Sequence, residues 1–325
     1  KTFELRTRSL HILIKNAFRK KGWKFMDRVR KLTGAEPLLT KGFTGKGITA
    51  AILDSGIYPH PDLKERIIDF RDFLNGQTGC YDDYGHGTHV AGILAGNGKL
   101  SRGRYRGIAP DCRLLPVKVL NRRGNGSRQD ILRGIEFVIA TREQYHTRIL
   151  NISVGTLEEG KDDEELIQAV ETAWDAGLVV VAAAGNLGPG KESITSPGSS
   201  RKIITVGASD DERKEEFFKR SRIQPGYSGR GPTCACIVKP ELTVPGTGIV
   251  SCNARYASTR RAYTVKSGTS MATPVVSGAA ALLLSLHPDL SNLDVKMHMC
   301  ESAVDLKLPG SRQGWGFLRI DRLLR

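Results

Sequence analysis

At 325 residues, with 39% hydrophobic and 26% charged side chains, the chain has the bulk and balance of a globular protein with one large α/β domain or two small ones. Its formal charge of +15 is lopsided: residues 1–46 hold 13 Lys/Arg against 3 Asp/Glu, so the rest is nearly neutral and lacks the basic stripe of a nucleic-acid binder. Six cysteines are too sparse for a disulfide scaffold, Cys234-Ala-Cys236 has no second pair to complete a zinc site, and the longest apolar run, Ala279 to Leu286, is too short to cross a bilayer.

Taken in chain order, residues 1–34 read as a basic amphipathic arm. Leu10, Leu13, Ile14, Ala17 and Phe18 fall on one helical face, and Phe25, Met26 and Val29 follow Gly22, with cations opposite. Such an arm can dock on its own domain, on a partner or on an anionic membrane, and its own domain is the expected place, as a pro-segment remnant or an inhibitory element. From residue 47 a rhythm of strands and helices sets in, with no linker or internal repeat, so 35–325 reads as one domain. "ITAAIL" (48–53), "RLLPVKVL" (113–120), "RILNISV" (148–154), "GLVVVAAA" (177–184) and "KIITVGA" (202–208) are strands apolar on both faces, as in a parallel sheet covered by helices. Helical patterns lie between them at 87–96, 127–144 and 162–177, the last with acids in its first turn and Gly177 at its end. This alternation predicts a three-layer α/β fold with a mostly parallel sheet.

In such sheets ligands sit beyond the carboxyl ends of the strands. The first strand delivers Asp54-Ser55-Gly56, the third runs through Ser153 to Gly155, and the fourth delivers Gly185-Asn186. A helix opens at "YGHGTHVAG" with His86 near its start, and "SGTSMATPVVSG" (267–278) leads Ser270 into a buried apolar helix. Spacing alone does not choose between His86 and His89, which share a helical face.

Together these segments resemble those of the subtilisin-like serine proteases. Asp54-Ser55-Gly56, Gly85-His86-Gly87-Thr88-His89-Val90-Ala91-Gly92 and Gly268-Thr269-Ser270-Met271-Ala272 stand in that family's order of acid, histidine and serine. "AAAGN" (182–186), "SPG" (196–198), "SGRGP" (228–232) and "KPELTVPG" (239–246) resemble further segments of it, and "GWGFLRI" with the few cysteines is similar to the intracellular-type bacterial branch. The resemblance implies an endopeptidase in which Ser270 is nucleophile, His86 general base and Asp54 its orienter, with Asn186 and the Ser270 N–H as oxyanion donors. His89 then becomes a packed structural histidine. Pro274, four residues after Ser270, is expected to cost the helix no hydrogen bond.

Gly124, Asn125 and Gly126 with Ser153, Val154 and Gly155 resemble the two segments between which a substrate peptide lies as an added strand. Val154, Gly155, Ala183, Ala184 and Gly185, with Thr195 at the base and Leu187 at the rim, would wall an uncharged S1 pocket for apolar or medium-sized residues. No cofactor is needed for this chemistry. Asp62 matches a calcium ligand of the family, but the loop that would complete the site, "NGKLSRGRYRG" (97–107), carries Lys99, Arg102, Arg104 and Arg106 and no acid, a poor cage for a dication. Peptides or proteins are the expected partners, nucleic acid is not, and the thiols favour the cytoplasm over secretion.

Overall fold

The computed structural model describes residues 26–155, 163–212 and 223–324. Strands form where β-branched runs end in Gly or polar residues: β1 (Thr49–Asp54), β2 (Arg71–Asp72), β3 (Arg113–Lys118), β4 (Thr147–Ile152), β5 (Val179–Ala183), β6 (Ile204–Ala208) and β7 (Leu242–Val244). They make one parallel sheet in the order β2-β3-β1-β4-β5-β6-β7. Every residue of β1, β5 and β6 is buried, because helices cover both faces. β2 and β7, at the sheet edges, are two and three residues long and carry no readable period. A separate antiparallel hairpin, β8 (Ile249–Cys252) and β9 (Tyr263–Lys266), was also silent in the sequence.

The longer helices are α1 (Met26–Thr33), α2 (Gly87–Ala95), α3 (Arg128–Tyr145), α4 (Glu164–Asp175), α5 (Thr269–Leu286) and α6 (Asn292–Glu301). α5 packs on α2 and across β4, β5 and β6, while α3 and α4 pack together and onto β4 and β5, giving three layers. Local chemistry sets their ends. Ser127 accepts the Asp130 N–H at the start of α3, Asp163 accepts the Leu166 N–H at the start of α4, and Gly177 adopts φ +90° just beyond it. α5 is long and apolar enough to cross a membrane, unlike the shorter run read from the sequence, but 83% of it is buried inside the domain.

Of the N-terminal arm, Leu10, Leu13, Ile14, Ala17, Phe18 and Phe25 lie outside the described residues. Of residues 26–34, on the arm side of the expected division, Met26 and Val29 are fully buried in the main core and Leu32 is buried in a second, smaller cluster. α1 is also held by charge. Arg28, 1% exposed, pairs with the buried Asp210 at 2.7 Å and donates to the Thr247 carbonyl at 2.8 Å. Asp210 in turn accepts the Gly246 and Thr247 N–H groups. Removing either partner strands a buried charge, at a cost of about 3–5 kcal/mol.

Candidate active site

β1, β4 and β5 are neighbours in the sheet, so their carboxyl ends bring Asp54, Ser153 and Asn186 to one edge. α2 and α5 start above that edge and supply His86 and Ser270. Asp54 is fully buried, and His86 Nδ1 lies 2.8 and 2.9 Å from its two carboxylate oxygens. A carboxylate only accepts, so Nδ1 carries a proton and donates it, and in the neutral ring Nε2 is then the acceptor. His89 is placed differently. It is buried between α2 and the hairpin, with Nε2 near the Ile249 and Thr264 carbonyls at 3.1 and 3.2 Å. Burial, then the charge of Lys266, holds its imidazole well below the usual range, so it stays neutral.

α5 opens at Gly268 (φ +142°), which sets Ser270 in the first helical turn, where backbone N–H groups have no helical partner. The Ser270 hydroxyl donates to the Ser153 carbonyl at 2.9 Å, so its hydrogen bond runs to the end of β4 rather than to His86 Nε2. Catalytic hydrogen bonds are often long or unmade in a free enzyme and tighten only when substrate binds, so this resting contact is compatible with His86 as the base. The expectation for Pro274 needs correction. It lies inside α5, and its missing N–H leaves the Ser270 carbonyl without the usual i+4 donor. Ser153 Oγ donates to that carbonyl at 3.3 Å instead. Behind it, Asn151 Nδ2 donates to Ser153 Oγ at 3.0 Å, and Ser277 Oγ donates to Asn151 Oδ1 at 2.8 Å. The proline thus joins the nucleophile's helix turn to β4.

Asn186 is fixed by a donor that cannot act as an acceptor. The Thr269 N–H, at 2.9 Å, requires Oδ1 on that side, and Thr269 Oγ1 lies 3.1 Å from the same oxygen. The amide nitrogen is therefore left for another acceptor, beside the Gly268 turn. Gly155 and Gly185 face each other across Thr195: a β-carbon on either would come within 2.6 or 2.5 Å of Thr195 Oγ1. Ala183 and Ala184 are buried alongside, Val154 is 8% exposed, and Leu187 is half-buried. Gly124, Asn125 and Gly126 lie in the loop before α3, which closes on itself through the Asn121 N–H donating to the Asn125 carbonyl at 2.8 Å.

Three contributors were missed in the sequence. Asp82 accepts from the Gly85 N–H (2.6 Å), Thr88 N–H (2.8 Å), Thr88 hydroxyl (2.6 Å) and Ser55 hydroxyl (2.8 Å), so one carboxylate ties the start of α2 to the end of β1. An acid just ahead of a helix start is a cap signal that could have revealed it. Lys118, fully buried, donates to the Ser55 and Leu120 carbonyls and to Asp83, each at 2.7 Å. Tyr84 stacks beside His86 with ring centroids 6.1 Å apart and lies close over Gly124. Replacing Asp82 by Ala is expected to lower kcat/KM by about 10–100-fold through misplacement of His86, with cleavage preference unchanged. Steady-state kinetics on two peptides of different sequence would check this.

Asp62 lies apart from this edge, beside His60 and Cys252, all three buried with ligand-type atoms within 4.8 Å of one another. Its Oδ1 accepts the Leu100 N–H at 3.0 Å and its Oδ2 the Tyr263 hydroxyl at 2.6 Å.

A model of the subtilase family, peptidase S8, matches residues 45–316. The chain belongs to the subtilase family. It is 42% identical over 288 residues to the serine protease AprX of Bacillus subtilis (strain 168), a match covering 83% of this chain and 65% of AprX. It is 36% identical to subtilisin Savinase of Lederbergia lenta, over 82% of this chain and 87% of Savinase. Among solved structures, sphericase superposes with a TM-score of 0.72 at 30% identity, covering 94% of this chain and 96% of that one. This subtilase therefore carries a subtilisin-like serine peptidase domain, and the edge holding Asp54, His86 and Ser270 is its candidate catalytic centre.

Proposed function

We propose that the chain is a serine endopeptidase working through Asp54, His86 and Ser270. The carrying observation is the carboxylate of Asp54 on Nδ1 of His86, beside the first turn of a buried helix that presents Ser270. His86 Nε2 takes the proton of Ser270 as its oxygen attacks the peptide carbonyl, and Asp54 stabilises the imidazolium. The oxyanion forms against the Ser270 N–H and the Asn186 amide, whose orientation Thr269 already sets, so little reorganisation is needed. His86 then gives the proton to the leaving amine, and water attacks the acyl-enzyme by the same route in reverse.

The substrate lies extended between residues 124–126 and 153–155, held by backbone groups and so with little demand on sequence. The S1 pocket is uncharged, with Thr195 between Gly155 and Gly185, and takes apolar or medium-sized side chains. A fluorophosphonate probe should label the full chain and fail to label Ser270→Ala, and a peptide library should show an apolar P1 preference. Labelling that persists on the alanine variant refutes the assignment.

Asn186→Ala is expected to lower kcat by about 10²–10³ with KM nearly unchanged, because this donor acts on charge that exists only in the transition state; the scale is that of such a donor in a subtilisin, adopted here. Single-turnover acylation with a chromogenic ester reads this directly. A rise in KM with kcat unchanged would instead place Asn186 in ground-state binding.

A further inference from the structure

The loop at 97–107 is held by a cation, and the cation is part of the chain. Arg30, on α1, is 3% exposed. One terminal nitrogen of its guanidinium donates to the Arg106 carbonyl and, at 3.4 Å, to that of Arg104. The other reaches the carbonyls of Gly103 and Arg104 at 3.3 and 3.4 Å. Nε pairs with Glu36 at 2.5 Å, which balances the charge. Backbone carbonyls turned from one loop onto one positive centre are the ligand type that calcium takes.

The remaining residues do not fit calcium. Asp62, the carboxylate that would anchor the ion, has one oxygen on the Leu100 N–H of this same loop and the other on the Tyr263 hydroxyl. Burial, then the bond to Asp62, keeps the Tyr263 phenol well above its ordinary range, so it remains a donor. Both nitrogens of His60 are engaged, Nε2 with the Ala262 carbonyl and Nδ1 with the Asp62 N–H. Cys252 is a soft ligand that calcium does not favour. A dication on the carbonyls of this loop would have to share them with the Arg30 guanidinium, and the same loop adds Lys99, Arg102, Arg104 and Arg106.

We infer that Arg30 is a covalently tethered replacement for the calcium ion of this region. It locks the loop to α1 while Asp62 locks the same loop to β9, so this part of the fold needs no divalent cation. The arrangement has a cost in sequence freedom, since a lysine carries the charge but lacks the planar fork that reaches several carbonyls at once.

The test uses the full chain carrying Ser270→Ala, which prevents self-digestion, and reads two quantities: the thermal midpoint, and the rate of trypsin cutting after Arg102, Arg104 and Arg106. The parent should give the same midpoint and the same cutting rate in EGTA and in calcium. Adding Arg30→Ala should lower the midpoint by roughly 5–10 °C, the scale of one uncompensated buried site in a chain of this size, and speed cutting at the loop about tenfold. Methylguanidinium should reverse part of both changes, and sodium at equal ionic strength should not. Arg30→Lys should fall between parent and alanine. Calcium that slows cutting of this loop in the parent overturns the inference, as does an alanine variant that melts and is cut like the parent. Should Arg30→Ala not fold, the parent's calcium response and the Arg30→Lys variant decide the matter alone.

Discussion

Ser270→Ala is expected to lower kcat by about 10⁶, a scale known from subtilisin rather than derived from this site. The size follows from what the alanine cannot do. Without Oγ there is no acyl-enzyme, and His86 has no proton to take, so Asp54 and His86 become idle although they remain in place. What survives is binding of the peptide and the two oxyanion donors, which assist attack by water only weakly. The fold should hardly change. The lost hydroxyl makes one hydrogen bond to the Ser153 carbonyl, worth about 1 kcal/mol, and the Ser153 bond to the Ser270 carbonyl remains. Kinetics on a sensitive fluorogenic peptide, with a melting curve on the same sample, separates the two effects. Hydrolysis within tenfold of the parent would falsify the role of Ser270.

Asp54→Asn should lower kcat by about 10⁴, the scale found when a triad aspartate of another serine protease becomes asparagine. Here the geometry says why. Oδ1 of Asp54 also accepts the Ser55 N–H at 2.7 Å, so the asparagine oxygen must stay on that side. Its amide nitrogen takes the Oδ2 place, 2.9 Å from His86 Nδ1, where an N–H would meet an N–H; moving the imidazole proton to Nε2 relieves that clash, and an Nε2 that carries a proton cannot accept one from Ser270. KM should move little, since Asp54 is buried and does not touch the peptide. If the variant keeps more than a tenth of the parent's kcat, His86 is not the base in the tautomer assigned to it.

The two predictions rest on features of different legibility. The β1 run and the Asp-Ser-Gly after it are local, because strand propensity and burial on both faces act residue by residue. The three ordered segments around Asp54, His86 and Ser270 were equally plain, as were α2, α3 and α4. Asp82 was not: its four bonds join the end of β1 to the start of α2, and only the folded chain makes that contact. The hairpin β8–β9 has no clean alternation because its residues pack on α2 and on His89 rather than on one even face. Pro274 was misjudged because the first turn of a helix is fixed by where the chain enters it, and Gly268 places that entry only one residue before Thr269.

What the sequence determined by itself is the alternation of strands and helices, the family, and which acid, histidine, asparagine and serine stand at strand and helix ends. Those follow from short-range pattern. The tertiary structure decided which atoms meet. It put the proton of His86 on Nδ1, turned the Asn186 oxygen to Thr269, tied Ser270 to Ser153 across more than a hundred residues, and set the Arg30 guanidinium on the carbonyls of a loop more than seventy residues away. Hydrogen bonds and ion pairs between distant segments depend on distance and direction in space, and no local period in the chain encodes either.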